Sequence, residues 1–259
     1  MIKLRARSVL AGLALITVAN AAICANSTGE IDHHDDFDGV WQVTPQTALT
    51  GGPLVNGHRE PMAPTDGSPL PLQPWNQALH EGFWQQSQQH IEWAPNNQHC
   101  LVAGTVRAMK GNFSWRWLTT PEAVVILFEE DNRINLFRFA DQHPVGLKPS
   151  WTGDAIARWD GDTLVVDVTG FNGKTPFPLA IFHTTLLHVV HHFKLISQGK
   201  QMEDRMTIED PGALTHSFEA ISIFNRQPED YKLADYRCAE NNQDLTRKMG
   251  WWGADWGPE

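Results

Sequence analysis

The chain has 259 residues and a formal net charge of -10, and 19% of its residues are charged. The acidic residues are dispersed, and no cluster of Lys or Arg is available to neutralise a phosphate backbone, so nucleic acid is not an expected partner. All-β barrels commonly use a chain of this length for one domain. We therefore expect a single domain with a long N-terminal extension.

The N-terminal segment has the pattern of a secretory signal peptide. A basic start precedes an apolar run from Val9 to Ala22 that is too short to span a bilayer, and Ala19–Ala21 offers a cleavage site. We interpret residues 1–25 as a signal peptide and expect a periplasmic or secreted protein. Lipidation of Cys24 is the minor alternative, because Ile23 stands where a small residue is expected. No later run approaches the roughly 18 apolar residues of a membrane helix, so we expect no integral membrane segment.

Export would leave two cysteines in an oxidising compartment. Cys100 and Cys238 are the candidates, since Cys24 lies at the predicted end of the signal peptide. The compartment permits one disulfide between them. Two unpaired buried thiols are the alternative.

Residues 26–112 form the predicted N-terminal extension, packed on the barrel. Phe37–Val43 has the pattern of a strand, and the Pro- and Gly-rich sequence that continues to Pro74 belongs on the surface. Trp75–Trp93 lacks Pro and carries apolar side chains near helical spacing. This range predicts one amphipathic helix that plugs or flanks the barrel.

Residues 113–259 have the pattern of an all-β barrel with a C-terminal cap. Short runs of β-branched and aromatic residues alternate with turn residues such as Asp160–Asp162 and Gln198-Gly199. These turns are too short for the crossovers of parallel strands, so we expect an antiparallel sheet. About eight strands with one apolar face would close into a barrel with room for a small ligand. The predicted strands are 113–119, 123–129, 133–139, 155–159, 163–169, 184–196, 200–209 and 217–225, and the cap is 251–256.

The hairpin around Gln198-Gly199 predicts which side chains face the interior. With this pair as the loop, Phe193 faces Asp204 and His191 faces Met206 on the apolar side. A carboxylate on an apolar wall costs several kcal/mol unless it is paired, and a neighbouring imidazole both pairs with it and transfers protons near neutral pH. His191 and Asp204 are therefore the leading acid/base candidates. A structural hydrogen bond in a packed barrel is the alternative.

Three other residues are candidates for a second catalytic acid or base. His183 has the same parity as His191, His143 lies in a loop, and Asp154 stands at a strand entrance. The alternative for each is a structural loop or strand-end residue. Asp167 has the opposite parity to the apolar side chains around it, so we expect it to be exposed or in a turn contact.

Neither a metal nor a cofactor is predicted. The adjacent side chains of 33–36 cannot all reach one ion, and His188 and His192 point away from His191. The sequence motifs of serine hydrolases, zincins, kinases and dinucleotide-binding enzymes are absent.

Several large side chains on or beside the strands are candidates to line a ligand cavity. An aromatic wall suits an apolar or ring-containing ligand, and filling of the core is the alternative for most of these residues. The candidates are Trp115, Trp117, Trp151, Trp159, Phe193 and Met206.

The stretch 149–172 resembles a large group of secreted bacterial proteins of largely unassigned function. It contains W-T-G, then W-D-G-D-T-L-V-V-D, then G-F-N, and the similarity extends to His143-Pro144 and His183. The resemblance implies a lipocalin-like barrel and indicates no particular reaction. The chain has His-His-Phe at 191–193 where the group usually has Glu-Arg-Phe, and Asp154 where it usually has a histidine or a similar residue. These differences at polar positions suggest a specialised member.

Two classes of function follow. The first is a cofactor-independent enzyme, a lyase, isomerase or cyclase, that uses His191 and Asp204 to move a proton on a small apolar, aromatic or polycyclic molecule. The second is a carrier that binds such a molecule unchanged. A third reading is a structural protein with a packed barrel. The two titratable groups on the inner wall favour the enzyme.

Overall fold

The computed structural model describes residues 34–49, 51–86, 100, 102–174, 177 and 180–238. The predicted signal peptide, residues 87–93 of the predicted helix and the predicted C-terminal cap lie outside these residues. In the part of the chain that is described, no helix combines the length and apolar character needed to cross a membrane.

The elements follow one another in a simple order. In chain order they are a 3-10 helix His34–Phe37, β1 Gly39–Val43, β2 Leu54–Val55, β3 His58–Arg59, α1 Pro74–Gln86, α2 Thr105–Met109, β4 Trp115–Thr119, β5 Ala123–Phe128, β6 Ile134–Phe139, β7 Asp154–Asp160, β8 Thr163–Thr169, β9 His188–Ile196, β10 Gln201–Glu209 and β11 Phe218–Arg226. The closed barrel has the strand order β1-β11-β10-β9-β8-β7-β6-β5-β4, while β2 and β3 form a separate ribbon.

The barrel has nine strands, so the prediction of about eight was one too low. The eight strands predicted after residue 112 are all present. The ninth, β1, comes from the N-terminal extension and closes the barrel, because Trp41 lies opposite Arg226 on β11 and opposite Trp115 on β4. The first predicted strand is thus part of the barrel wall.

One strand pair departs from the predicted antiparallel sheet. β6 and β7 run parallel, with Phe137 opposite Ala155. Parallel neighbours need a connection long enough to return to the starting end of the sheet. Residues 140–153 supply it. The sheet is therefore mixed, and the prediction that it is antiparallel throughout was wrong at this pair.

Alternate side chains of the strands fill the barrel interior. The rings of Trp117 and Phe193 meet edge to face with centroids 5.3 Å apart, and Phe193 stacks on Phe137 at 6.0 Å. Of the six residues predicted to line a ligand cavity, Trp115, Trp117, Phe193 and Met206 are fully buried in this core, while Trp151 and Trp159 are half-buried.

Helix α1 flanks the barrel. Its Trp75 indole donates to the Gly212 carbonyl at 2.9 Å, and the Asn76 amide donates to the carbonyls of Phe182 and Ala213 at 2.9 and 3.1 Å. These bonds fix the helix to two loops that connect strands of the barrel.

Helix α2 is short and wholly buried, and the sequence did not predict it. Asn135 on β6 donates to the Thr105 hydroxyl at 2.7 Å, which ties the start of the helix to the barrel wall. Val106 and Met109 join the same apolar core as the strand side chains. The side chains of Val106 and Met109 therefore extend the apolar core of the barrel.

A disulfide joins Cys100 to Cys238, with Cα atoms 5.4 Å apart. It connects the segment before α2 to the segment after β11. The Cys238 amide also donates to Asp131 Oδ1 at 2.8 Å, which fixes the end of the described chain to the β5–β6 turn.

Candidate functional site

The β9–β10 hairpin has the register that the sequence predicts. His191 lies opposite Met206 and Phe193 opposite Asp204. The loop between the strands has positive φ at Ser197 (52°), Gln198 (57°) and Gly199 (76°), and the Lys200 amide donates to the Ser197 carbonyl at 3.2 Å across the Gln198-Gly199 pair. The turn therefore sets the strand alternation that directs His191 and Asp204 inward.

His191 and Asp204 form a buried hydrogen-bonded pair. His191 Nδ1 lies 2.9 and 3.1 Å from the two Asp204 carboxylate oxygens, and the residues are 1% and 2% exposed. A carboxylate accepts hydrogen bonds, so Nδ1 carries the hydrogen and Nε2 of the neutral ring bears the lone pair. That Nε2 has no hydrogen-bond partner among the described residues. The pair thus presents an unused proton acceptor to the interior.

Lys110, directly after α2, adds a cationic side chain to this interior. Its Nζ donates to the Ser222 hydroxyl at 2.9 Å, and Ser222 lies opposite Asp204 on the neighbouring strand. Burial lowers the pKa of Lys110 to about 7, although the negative Asp204 acts in the other direction. Lys110, Ser222, Asp204 and His191 are called the interior cluster below.

Burial of the charged and polar side chains of the interior cluster costs free energy. Replacing buried charged groups with apolar residues often stabilises a protein, so such a cluster is weak evidence for a stabilising role. Strongly shifted pKa values in buried positions occur preferentially at functional sites. The cluster thus contains a lysine whose pKa is lowered to about 7 and a histidine nitrogen without a hydrogen-bond partner among the described residues, so it has both a proton donor and a proton acceptor.

A second buried cation lies at the start of α2, where it lines a small cavity of about 10 Å³. Arg107 is 4% exposed, its Nη1 has no hydrogen-bond partner among the described residues, and burial lowers its pKa to about 10. A cavity of this size holds about one water molecule. Leu187 also lines it, four residues before His191 and thus about 13 Å away along the strand.

His183 lines the same small cavity. It is buried, its Nδ1 donates to the Thr184 carbonyl at 2.9 Å, and burial lowers its pKa. Trp151 is another lining residue. The structure therefore places His183 at the barrel end near α2, away from the His191–Asp204 pair.

The other two predicted catalytic residues lie together on the outer wall of the barrel. His143 Nδ1 lies 2.7 Å from Asp154 Oδ2, and Nε2 lies 3.0 Å from Asp167 Oδ1. Asp167 also accepts from His188 at 3.0 Å, and Arg138 donates to Asp154 at 2.7 Å. These five residues are called the outer cluster. It anchors the long β6–β7 connection to the sheet and contains no residue of the interior cluster.

Hydrogen bonds shift the pKa values of Asp154, Asp167 and His188 in the outer cluster. The bond from His188 lowers the pKa of Asp167 to about 2, against the effect of burial, and the same bond raises the pKa of His188. Burial alone would raise the pKa of Asp154, but hydrogen bonds from His143 and Arg138 outweigh it and lower the value. The cluster is thus arranged to hold carboxylates ionised.

Sequence reasoning missed Arg107, Lys110 and Ser222. Helix α2 spans only Thr105–Met109 and lacks a side-chain cap, so its pattern is too short to detect by periodicity. The one available signal was two basic residues within a short apolar run.

The described residues include no group of three or more His, Cys, Asp or Glu side chains arranged to hold a metal ion. Comparison of the chain with models of protein families and with curated proteins finds no match. The resemblance noted over 149–172 therefore stays a prediction, and the assignment of function rests on the geometry of the sites.

Proposed function

We propose that the chain is an exported, cofactor-independent enzyme of the lyase or isomerase type that moves a proton on a small, mainly apolar molecule in the barrel. The observation that carries the proposal is the orientation of His191. Asp204 holds its Nδ1, while Nε2 bears a lone pair without a partner among the described residues. This is the arrangement of an oriented general base.

The interior cluster provides the parts of a proton relay. His191 Nε2 accepts a proton from the substrate, and Asp204 stabilises the imidazolium that forms. Lys110, with a pKa of about 7, stabilises the developing negative charge as an ammonium group or returns a proton at a different atom. In an isomerisation the proton count of the protein is unchanged at the end of the cycle.

The proposal requires the interior rings to move when a ligand enters. Phe193 stacks on His191 with centroids 5.3 Å apart, and Trp117 fills the space beyond it. The small cavity beside Arg107 marks the end of the barrel from which we expect the ligand to enter.

Export and family membership are part of the same proposal. The disulfide between Cys100 and Cys238 supports an oxidising compartment, where such bonds persist. The stretch 149–172 resembles a group of secreted proteins for which a lipocalin-like barrel is expected, and the closed barrel is consistent with membership of that group.

The test begins with the molecule that the protein retains. Apolar compounds extracted from the purified full chain are identified by mass spectrometry, added back in D₂O and analysed for deuterium incorporation. We expect the wild type to catalyse incorporation and His191→Gln and Asp204→Asn to lose it by at least about a hundredfold, as for removal of a general base. The control His143→Gln, in the outer cluster, keeps the wild-type rate.

Equal incorporation by wild type and folded His191→Gln would overturn the proposal. The aromatic rings of the interior favour a carrier as the second candidate. A retained compound that binds equally to wild type and His191→Gln, with no deuterium incorporated by either, would assign the chain to that class.

A further inference from the structure

The outer wall of the barrel carries an apolar patch where β4, β5 and β6 lie side by side. Ile134 and Leu136 on β6 point outward and are 62% and 50% exposed. Leu118 on β4 and Val125 and Leu127 on β5 also point outward and are half-buried. The strand register places Leu118, Val125 and Leu136 in one row and Leu127 beside Ile134 in the next. These five residues are called the outer patch.

Apolar side chains in this arrangement are unusual on an outer wall. The outward positions of a strand with one solvated face are normally polar, as on β10, where Glu203, Arg205 and Thr207 alternate with the buried residues. Contiguous apolar surface commonly marks the place where another segment or molecule binds. The outer patch is therefore expected to be a contact surface.

The described chain ends beside the outer patch. After β11 it passes along the outside of the wall, where the outward-pointing Arg116 of β4 donates to the Tyr231 carbonyl at 3.4 Å. The Cys238 amide then donates to Asp131 Oδ1 at 2.8 Å in the β5–β6 turn. Asp131 precedes Ile134 by three residues, which is at most about 11 Å along the chain. The segment that follows Cys238 therefore starts next to the outer patch.

The segment 239–259 contains side chains that could cover the outer patch. Trp251, Trp252 and Trp256 lie close together in its sequence. Each tryptophan side chain can bury about 150–250 Å². Trp251 follows Cys238 by 13 residues, and an extended chain of that length reaches about 40 Å. The tryptophans are thus long enough tethered to reach every residue of the outer patch.

We propose that the tryptophans of the segment 239–259 pack on the outer patch of the same chain. Attachment at Cys238, which the disulfide to Cys100 fixes in place, gives the segment an effective concentration in the millimolar range at the patch. A second copy of the protein reaches such a concentration only in very concentrated solution. The predicted C-terminal cap thereby covers the outer wall at β4–β6 and excludes water from Ile134 and Leu136.

Two basic residues of the segment make the contact measurable. Trypsin cleaves after Arg247 and Lys248 only when the chain around them leaves the surface. The full, disulfide-bonded protein is treated with trypsin, and loss of 249–259 is followed by mass spectrometry. Ile134→Gln/Leu136→Gln removes the most exposed apolar contacts of the patch, and we expect it to raise the cleavage rate at least about tenfold.

The matched control changes two leucines of similar exposure elsewhere. Leu54 and Leu186 are 65% and 59% exposed and lie outside the barrel strands. Leu54→Gln/Leu186→Gln is expected to be cleaved after residues 247 and 248 at the wild-type rate. An equal acceleration by this control would overturn the proposal, because the effect would then not depend on the outer patch.

A variant in the segment itself keeps the test valid if the change on the wall impairs folding. Trp251→Ser/Trp252→Ser leaves every barrel residue in place. We expect it to raise the cleavage rate at least about tenfold and to increase binding of the apolar dye ANS as the outer patch becomes exposed. Cleavage of the wild type as fast as that of this variant would contradict the proposal.

The mass in solution separates the segment from a second copy as the occupant of the patch. Analytical ultracentrifugation is expected to give the same mass for the wild type and for Ile134→Gln/Leu136→Gln. A wild-type dimer that this variant converts to monomers would overturn the proposal and assign the patch to a second copy. Proton exchange in the barrel is expected to be unchanged in all these variants, so failure of the proposed enzyme function is observed separately.

Discussion

Lys110 Nζ donates a hydrogen bond to Ser222 Oγ at 2.9 Å inside the barrel, and no salt bridge joins this lysine to a carboxylate of the described residues. Burial lowers its pKa from 10.5 to about 7. Between these values the unfolded chain holds a proton on the lysine that the folded chain has released. The unfolded state therefore binds more protons, and the free energy of unfolding rises with pH over this window.

We predict that Lys110→Met removes most of this pH dependence. The wild type should gain a few kcal/mol between about pH 7 and 10, and the variant should have a nearly flat profile there. Urea unfolding followed by tryptophan fluorescence at a series of pH values measures the slope. The double variant Lys110→Met/Ser222→Ala controls for the serine hydroxyl that loses its donor. A wild-type profile that is flat from pH 7 to 10 would contradict the prediction.

Arg107 leads to a prediction about the stability of the fold. Its guanidinium is 4% exposed, and its Nη1 lacks a hydrogen-bond partner among the described residues. Arg107→Met should raise the free energy of unfolding by about 1–3 kcal/mol, because it replaces a buried charge, whose desolvation outweighs the attraction of Glu130, with an apolar side chain. Denaturant unfolding gives the difference directly.

The matched control for this change is Arg133→Met. Arg133 bonds to Glu130 at 3.0 Å and to the Ala103 carbonyl. Its loss should lower stability, since Glu130 would remain mostly buried without its partner. If Arg107→Met is destabilised as much as Arg133→Met, then Arg107 is a structural residue.

Local patterns were sufficient to predict the His191–Asp204 pair. Strand alternation and the turn chemistry at Gln198-Gly199 together fix the register of β9 and β10, so the two side chains are placed by residues within one hairpin. The same local reasoning located every strand after residue 112.

Features that depend on distant contacts were not predictable in this way. The parallel β6–β7 pair arises because residues 140–153 cross back along the sheet, and no local pattern shows where a long connection ends. The same connection brings His143 to Asp154 on the outer wall, and no local pattern indicated that these two candidates would contact each other. Lys110 directly follows α2, a helix too short to predict.

The outer cluster is expected to stabilise the fold over a limited range of pH. The pKa of Asp167 is lowered to about 2, so its contribution is present above about pH 4 and is lost as the pH falls toward 2. The pKa of His188 is raised, so its contribution is present below about pH 6.5 and is lost as the pH rises through the raised value. Asp167→Asn should therefore lower the free energy of unfolding most between about pH 4 and 6.5.

The expected cost of Asp167→Asn is about 1 kcal/mol, because both partners are about one-third exposed and solvent screens them. Thermal unfolding across this range measures it. Asp162→Asn is the control, since its ion pair with Lys194 at 3.0 Å is largely exposed. A larger effect for the control than for Asp167→Asn would show that the outer cluster does not stabilise the fold.

The disulfide gives the largest expected change. Cys100 and Cys238 are 138 residues apart, and closing a loop of that length removes conformational entropy from the unfolded chain worth about 5 kcal/mol. Because measured effects are commonly smaller, Cys100→Ser/Cys238→Ser should lower the free energy of unfolding by about 2–5 kcal/mol. Urea unfolding of the oxidised protein and of the variant measures the difference.

Reduction of the wild type supplies the matched control, because it opens the same loop without changing the sequence. Dithiothreitol should lower the unfolding midpoint of the wild type to near that of the double serine variant and should not affect the variant itself. The bond links the segment before α2 to the chain after β11, so its loss should also loosen α2 and increase hydrogen exchange at Val106 and Met109. Equal midpoints for oxidised wild type and variant would mean that the contacts of Cys238 with Asp131 hold this end of the barrel without the covalent bond.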